Sequence, residues 1–409
     1  MLANISIVDP AARDPVRKAT IVVNEGRITA IGRSPRRPPG ARIIDGRGTF
    51  VVPGLWDMHA HLAALTPIGL APERYVGYGV LGVRDMGGLA DSLLPLKARI
   101  LAGKRIGPDI VLAGPTLNGE QSADFHRQVV TDAETRKAVR DLKTLGVDFI
   151  KIHRAIGREA FAAIADETRR LGLPFSGHVP LAMSWIEGSS GGMRTIEHIQ
   201  TMYENEQPDP ARLSEQFADI ADRLGGAYGD SIFAVLVHNG TFFDPTLVGY
   251  ETSIARAASE LAACRRAAFR RMKTLAAHAA RSGVRLLAGT DVLERHGEML
   301  LIELERLVEI GLTPQQALAA ATTTAADAVQ RRGRMGTSRR RSGIVSRARC
   351  KPARRHNASA RAACRGLARP VDRCRGTGPL ARWRRCSEVT SARLKLRAAS
   401  RAFVSEPRL

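Results

Sequence analysis

The spacing of apolar positions changes at Pro53. Before it, short β-like runs cover residues 5–9, 19–24, 27–31 and 41–45, separated by turns that hold Pro or Gly. These runs predict half of a small sheet beside a main domain. After Pro53, compact apolar runs alternate with segments of helical period. The runs fall at residues 54–62, 80–86, 109–115, 147–153, 174–180, 195–200, 241–248 and 285–291. Several are almost continuously apolar, as strands covered on both faces must be. Strands that alternate with helices form parallel βαβ units, and eight of them point to a closed barrel rather than an open sheet. The chain therefore reads as α/β, a (β/α)8 TIM barrel over residues 53–330. A small β-sandwich-like accessory domain is formed by the strands of residues 1–52 and lacks its C-terminal half.

Helix punctuation supports this division. Thr131 and Glu134 form a capping box that opens a helix closed by Gly146. Thr313, Pro314 and Gln316 open the last helix. Leu300, Leu304, Leu307 and Val308 make an apolar stripe that stops at Gly311.

Composition changes the picture at one place. The formal net charge is +22, but residues 331–409 hold 24 basic against 3 acidic groups, so the rest of the chain is nearly neutral. Four of the five cysteines (Cys350, Cys364, Cys374 and Cys386) also lie there, without the C-x2-C spacing of a zinc knuckle. The N-terminus shows no basic segment followed by an apolar one, and no apolar run of 18 or more occurs. The expectation is a cytoplasmic protein without a membrane partner.

Candidate chemistry gathers at the strand ends. His59 and His61 are two apart on the first barrel strand and so face the same side. Later strands end in Lys151-Ile-His153, Gly177-His178, Glu197-His198 and Thr290-Asp291. Barrel enzymes collect their functional groups at those ends, and polar groups converging there are costly to bury without a partner. A pair of divalent metal ions accounts for their company. Imidazole and carboxylate ligands suit zinc, with manganese or cobalt as substitutes.

These segments resemble the amidohydrolase superfamily near its imidazolonepropionase and Xaa-Pro dipeptidase branch. Pro53-Gly-Leu-Trp-Asp-Met-His59-Ala-His61 is similar to the first-strand signature. Asp148-Phe-Ile-Lys151-Ile, Gly177-His178-Val-Pro, Ile196-Glu-His198 and Leu287-Ala-Gly-Thr-Asp291 are similar to the later metal strands. The resemblance covers residues 1 to about 337. It implies that His59, His61 and Asp291 hold one ion and that His178 and His198 hold a second. Lys151, carboxylated by CO2, is implied as the bridging ligand. Water activated by the metals to hydroxide would hydrolyse an amide, cyclic amide or dipeptide, with Asp291 as catalytic proton carrier. His126, Tyr203 and Arg84 are the candidate contacts for a small-molecule substrate, Arg84 being as readily part of a structural ion pair with Asp85. Self-association is compatible with the sequence but not specified by it.

Two other functions compete. The same site would serve esters, lactones or organophosphates, whose transition states are also oxyanionic. Alternatively the basic tail binds nucleic acid, although only Trp383 and Phe403 interrupt it as aromatics, which disfavours base stacking. Family members continue after the barrel with a Gly-Lys-x-Ala-Asp-Leu stretch and strands that complete the small sheet. Here Ser338-Arg-Arg-Arg-Ser-Gly follows instead. The remainder reads without β-alternation, with the composition of a GC-rich gene translated out of frame.

Overall fold

The computed structural model describes residues 1–331 and 345–348, apart from 11, 13, 14, 25, 65–67, 207–212 and 257–258. β1 (Leu2–Ile7) pairs antiparallel with β2 (Val16–Asn24), which pairs antiparallel with β3 (Arg27–Gly32). On its other side β1 runs parallel to β4 (Ile44–Asp45) and to β5 (Phe50–Pro53). Ile5, Ile7, Ala19, Ile21, Ile28 and Val51 form a separate small core under this sheet.

The main body begins with β6 (Leu55–Ala60), β7 (Val80–Asp85) and β8 (Asp109–Leu112), which run parallel to one another. β9 (Thr116–Asn118) and β10 (His126–Gln128) are short additions beyond β8. Then come β11 (Ile150–Ile152), β12 (Phe175–Gly177), β13 (Thr195–Glu197) and β14 (Phe242–Asp244), again parallel. Helices connect them, as the alternating pattern requires. Asp148 donates its backbone N–H to Leu112 O at 2.9 Å, joining the two groups of strands. The eighth segment is barely a strand: a single bridge links Phe243 to Leu286. Its backbone nevertheless bonds both neighbours, Leu287 N to Phe243 O at 2.8 Å and Met58 N to Ala288 O at 3.0 Å. The arrangement is TIM-barrel-like.

Inside the strands, Trp56, Met58, Met86, Val111, Phe149, Phe242 and Leu287 pack as one buried cluster. Trp56 lies opposite Gly82, and a Cβ at Gly82 would fall within the indole ring. A small residue there is what lets Trp56 fill the interior. Thr131 caps the helix Asp132–Leu145 with the full capping box, and Gly146 ends it in the left-handed conformation. Thr313 caps Pro314–Ala320 in the same way, but a further short helix, Thr323–Ala328, follows the one read as last.

One expectation is corrected. The tail is not wholly without strand: β15 (Val345–Ala348) pairs antiparallel with β5 and completes a six-stranded sheet. The edge of β5 offers unpaired N–H and C=O groups, which accept an extended segment whatever its composition. The rest of the tail lies outside the described residues. Among the described residues no helix is long and apolar enough to cross a membrane.

Candidate metal centre

The candidate ligands sit where strands end and the backbone turns. His59 is inside β6 and His61 is the first residue past it. Lys151 is the middle residue of β11, while His178 and His198 directly follow β12 and β13. His198 and Asp291 have φ of 68° and 51°. Left-handed backbone at residues with a Cβ costs on the order of 1–3 kcal/mol and tends to mark functional positions. Here it turns both side chains toward the others.

Asp291 is the centre of the group. Its Oδ1 lies 3.6 Å from His59 Nε2 and 3.5 Å from His61 Nε2, and its Oδ2 lies 3.7 Å from His198 Nδ1. His59, His61 and Asp291 offer atoms that all fall within 4.8 Å of one another. The rings of His59 and His198 are 4.4 Å apart, and those of His198 and His178 4.7 Å. Lys151 is buried beside them, and its charge lowers the pKa of His59, His178 and His198.

Burial decides the protonation states. It lowers the pKa of His59, His178 and His198 far below the usual value, and that of His61 as well. Neutral imidazole is the form that ligates a metal. Burial also lowers the Lys151 amine to about 8 and raises the Asp291 carboxyl to about 7.

Three of the imidazoles are held from behind. His59 Nδ1 faces Glu197 Oε2 at 3.1 Å, His61 Nδ1 faces Gly87 O at 2.8 Å, and His198 Nδ1 faces Thr246 Oγ1 at 2.8 Å. Asp57, wholly buried, accepts from the backbone N–H groups of His59 and Thr290 and from the Thr290 hydroxyl, tying the first strand to the segment carrying Asp291. Glu303 accepts from Leu247 N and Val248 N, steadying the helix start just after Thr246.

Two of these imidazoles nonetheless keep a buried nitrogen without a hydrogen-bond partner, His59 Nε2 and His178 Nδ1. An unsatisfied buried polar atom costs about 1–3 kcal/mol. Orphaned acceptors on neutral imidazoles, grouped around a carboxylate and an amine, are a donor set that fits divalent metal ions. A cavity of about 340 Å³ opens over His61 and Asp291, bordered by Phe125, Thr252, Ser253 and Arg295.

The candidate substrate contacts divide. His126, on β10, is half-buried, bonds Ser122 Oγ at 2.9 Å, and holds its ring 5.0 Å from that of His153 at a tilt of 43°. Tyr203 is buried with its ring flat on Phe217 at 4.5 Å, so packing claims its face. Arg84 is corrected from substrate contact to interior residue. Its guanidinium is inside the ring of strands and is consumed by Met58 O, Thr195 Oγ1 and Glu197. Nor is it paired with Asp85, which accepts from Leu62 N and Gly87 N. The inward-facing positions of β7 alternate with the outward ones, and Arg84 takes an inward one.

From the sequence, His153 at its strand end is as readily a surface residue as a site residue; in the structure its ring is 4.3 Å from His178 and its Nδ1 is buried without a partner. Its signal was its spacing, two residues after Lys151 and so on the same strand face. Glu197 and Asp57 carried no such signal.

A family model described as amidohydrolase family matches residues 50–337. Over 124 residues the chain is 41% identical to the imidazolonepropionase of Idiomarina loihiensis, covering 30% of this chain and 28% of that protein. Over 57 residues it is 39% identical to the dihydroorotase of Anaeromyxobacter dehalogenans, 14% of this chain and 13% of that one. These alignments span under a third of the curated relatives' own length. In fold, the chain is similar to a solved Xaa-Pro dipeptidase with methionine bound in its active site. The TM-score is 0.68 at 20% identity, covering 86% of this chain and 94% of that one.

Proposed function

We propose, from the premise that this chain belongs to the amidohydrolase family, that it hydrolyses a carbon–nitrogen bond in an amide, cyclic amide or dipeptide. The observation that carries the reading is the convergence of His59, His61 and His198 on Asp291, with the His59 Nε2 that faces it buried and without a hydrogen-bond partner. The eight strand segments form a closed barrel, and its C-terminal rim carries the site.

His59, His61 and Asp291 would hold one divalent ion, and His178 with His198 a second; zinc fits the donor set best. Bound there, the ions would polarise a carbonyl and bring the pKa of water toward ~7. Lys151 prepares the bridge. An amine lowered to about 8 is unprotonated more often than a free lysine. After the ammonium gives up one proton, the lone pair of the neutral amine attacks CO2, the N–C bond forms, a second proton leaves the nitrogen, and the group is an anionic carbamate.

Asp291 does the proton work. Its carboxylate borders the cavity and faces His59 and His61 at 3.6 and 3.5 Å, so a water or a leaving nitrogen placed there is within its reach. It takes the proton of the attacking water as the C–O bond forms, then passes it to the departing nitrogen as the C–N bond breaks. The cavity over His61 and Asp291 admits a small molecule and borders the carboxylate that moves the proton.

A substrate panel tests this. N-acyl amino acids, dipeptides and cyclic amides should be turned over, and lactones, esters and phosphotriesters should be slower. Preferential turnover of the latter group would move the reading to the ester and organophosphate class.

A further inference from the structure

Arg84, Glu197 and His59 form a buried relay that the ligand set does not include. Glu197 is wholly buried, and Arg84 Nη2 donates to both its oxygens at 2.9 Å. The Thr195 hydroxyl donates to Oε1. Oε2 is left to face His59 Nδ1 at 3.1 Å. Arg84 itself is fixed at three further points: Nε donates to Met58 O at 2.6 Å, Nη1 to Thr195 Oγ1 at 2.6 Å, and Nη2 lies 3.5 Å from Asp244 Oδ2. One side chain from β7 thus grips β6, β13 and β14.

We infer that Arg84 and Glu197 are positioning residues that lock His59 in the Nδ1–H tautomer and so present its Nε2 lone pair to a metal. A carboxylate occupied by a guanidinium can only accept, so the proton in its contact with His59 sits on Nδ1. The other nitrogen is then an acceptor, and it is the one left buried without a partner, 3.6 Å from Asp291 Oδ1. The inference rests on the metal-site reading above for its consequence, but the tautomer itself needs no metal.

His59, Glu197 and Asp244 also place their ligand atoms within 4.8 Å of one another. That cluster is not a further metal site, because the Arg84 guanidinium already supplies its cation. The charge of Arg84 is therefore spent on the carboxylate that orients the histidine.

The test is nitrogen NMR of the imidazoles in metal-free, full-length protein labelled with 15N histidine, the His59 signals being identified by their loss in His59→Gln. Wild type should show a protonated Nδ1 and a pyridine-like Nε2. Glu197→Leu should release this preference, and Glu197→Gln, whose amide oxygen still accepts, should keep most of it. Zinc titration should then show about 10–100-fold weaker binding for Glu197→Leu, with Arg84→Lys intermediate because a lysine cannot make the two-pronged contact. Wild-type His59 protonated on Nε2 overturns the inference without any variant. So does a folded Glu197→Leu that binds zinc like wild type. If the tautomer is as stated but the wild-type protein itself binds no zinc, the metal reading fails and the relay stands.

Discussion

Gly289 lies beneath the site, where the Asp291 segment passes closest to β6. A Cβ added there would stand 2.6 Å from His59 Cβ and 2.7 Å from His59 N, and closer still to Asp244 Oδ2. Ordinary carbon contacts lie near 3.5 Å, so the two backbones must part by roughly 0.9 Å. Metal–ligand distances tolerate about ±0.2 Å, several-fold less than that displacement. Gly289→Ala should therefore lose about 1–3 kcal/mol as an overpacked site and bind zinc at least tenfold more weakly. Melting curves and zinc titration of the metal-free protein give both numbers. Gly77→Ala is the control, since Gly77 ends a helix, its φ is not positive, and its Cβ would meet nothing within 4 Å. Its stability should stay within about 1 kcal/mol of wild type. A Gly289→Ala protein with wild-type melting and wild-type zinc affinity would refute the close approach and the geometry built on it.

Replacing His59 and His61 together by Ala should abolish activity and leave at most one ion per chain, measured by elemental analysis. Lys151→Ala should lower metal content and rate, with partial recovery in added short carboxylic acids. Lys151→Arg should not recover, since a permanent cation repels the ions. Glu187 gives a pH-dependent prediction away from the site. Arg158, then the Ser184 backbone and hydroxyl, lower its carboxyl to about 2. A depressed acid contributes fully above its unfolded value and loses that contribution as pH falls through its folded one. The melting deficit of Glu187→Gln should thus be largest near neutral pH and shrink between about pH 4.5 and pH 2. A deficit that grows on acidification contradicts it.

Much of the fold was legible because its signals are local. Thr131, Glu134 and Gly146 mark a helix by chemistry contained within that helix, and the structure has it there. The eight apolar runs were legible for the same reason, although strand pairing stops earlier than the runs, leaving His178 and His198 just past the last paired residue. The eighth run is hardly a strand: a single bridge ties Leu286 to Phe243, and the run ends at Asp291, whose φ is 51°. What the sequence could not show is who stands behind whom. Arg84 and Glu197 are 113 positions apart, and nothing in their own neighbourhoods says that they meet. Arg84 looked like a strand-end cation available to substrate; only the inward turn of β7 consigns it to the interior. β15 was hidden for a different reason, since its pairing depends on the open edge of β5 more than on its own residues.

The imidazoles that converge on Asp291, with His59 Nε2 buried and unpartnered among them, are placed to hold metal. The most direct measurement is anomalous diffraction at the zinc edge from crystals of active protein. Two peaks are expected, one against His59, His61 and Asp291 and the other against His178 and His198. Active crystals with no anomalous peak among these residues would contradict that role.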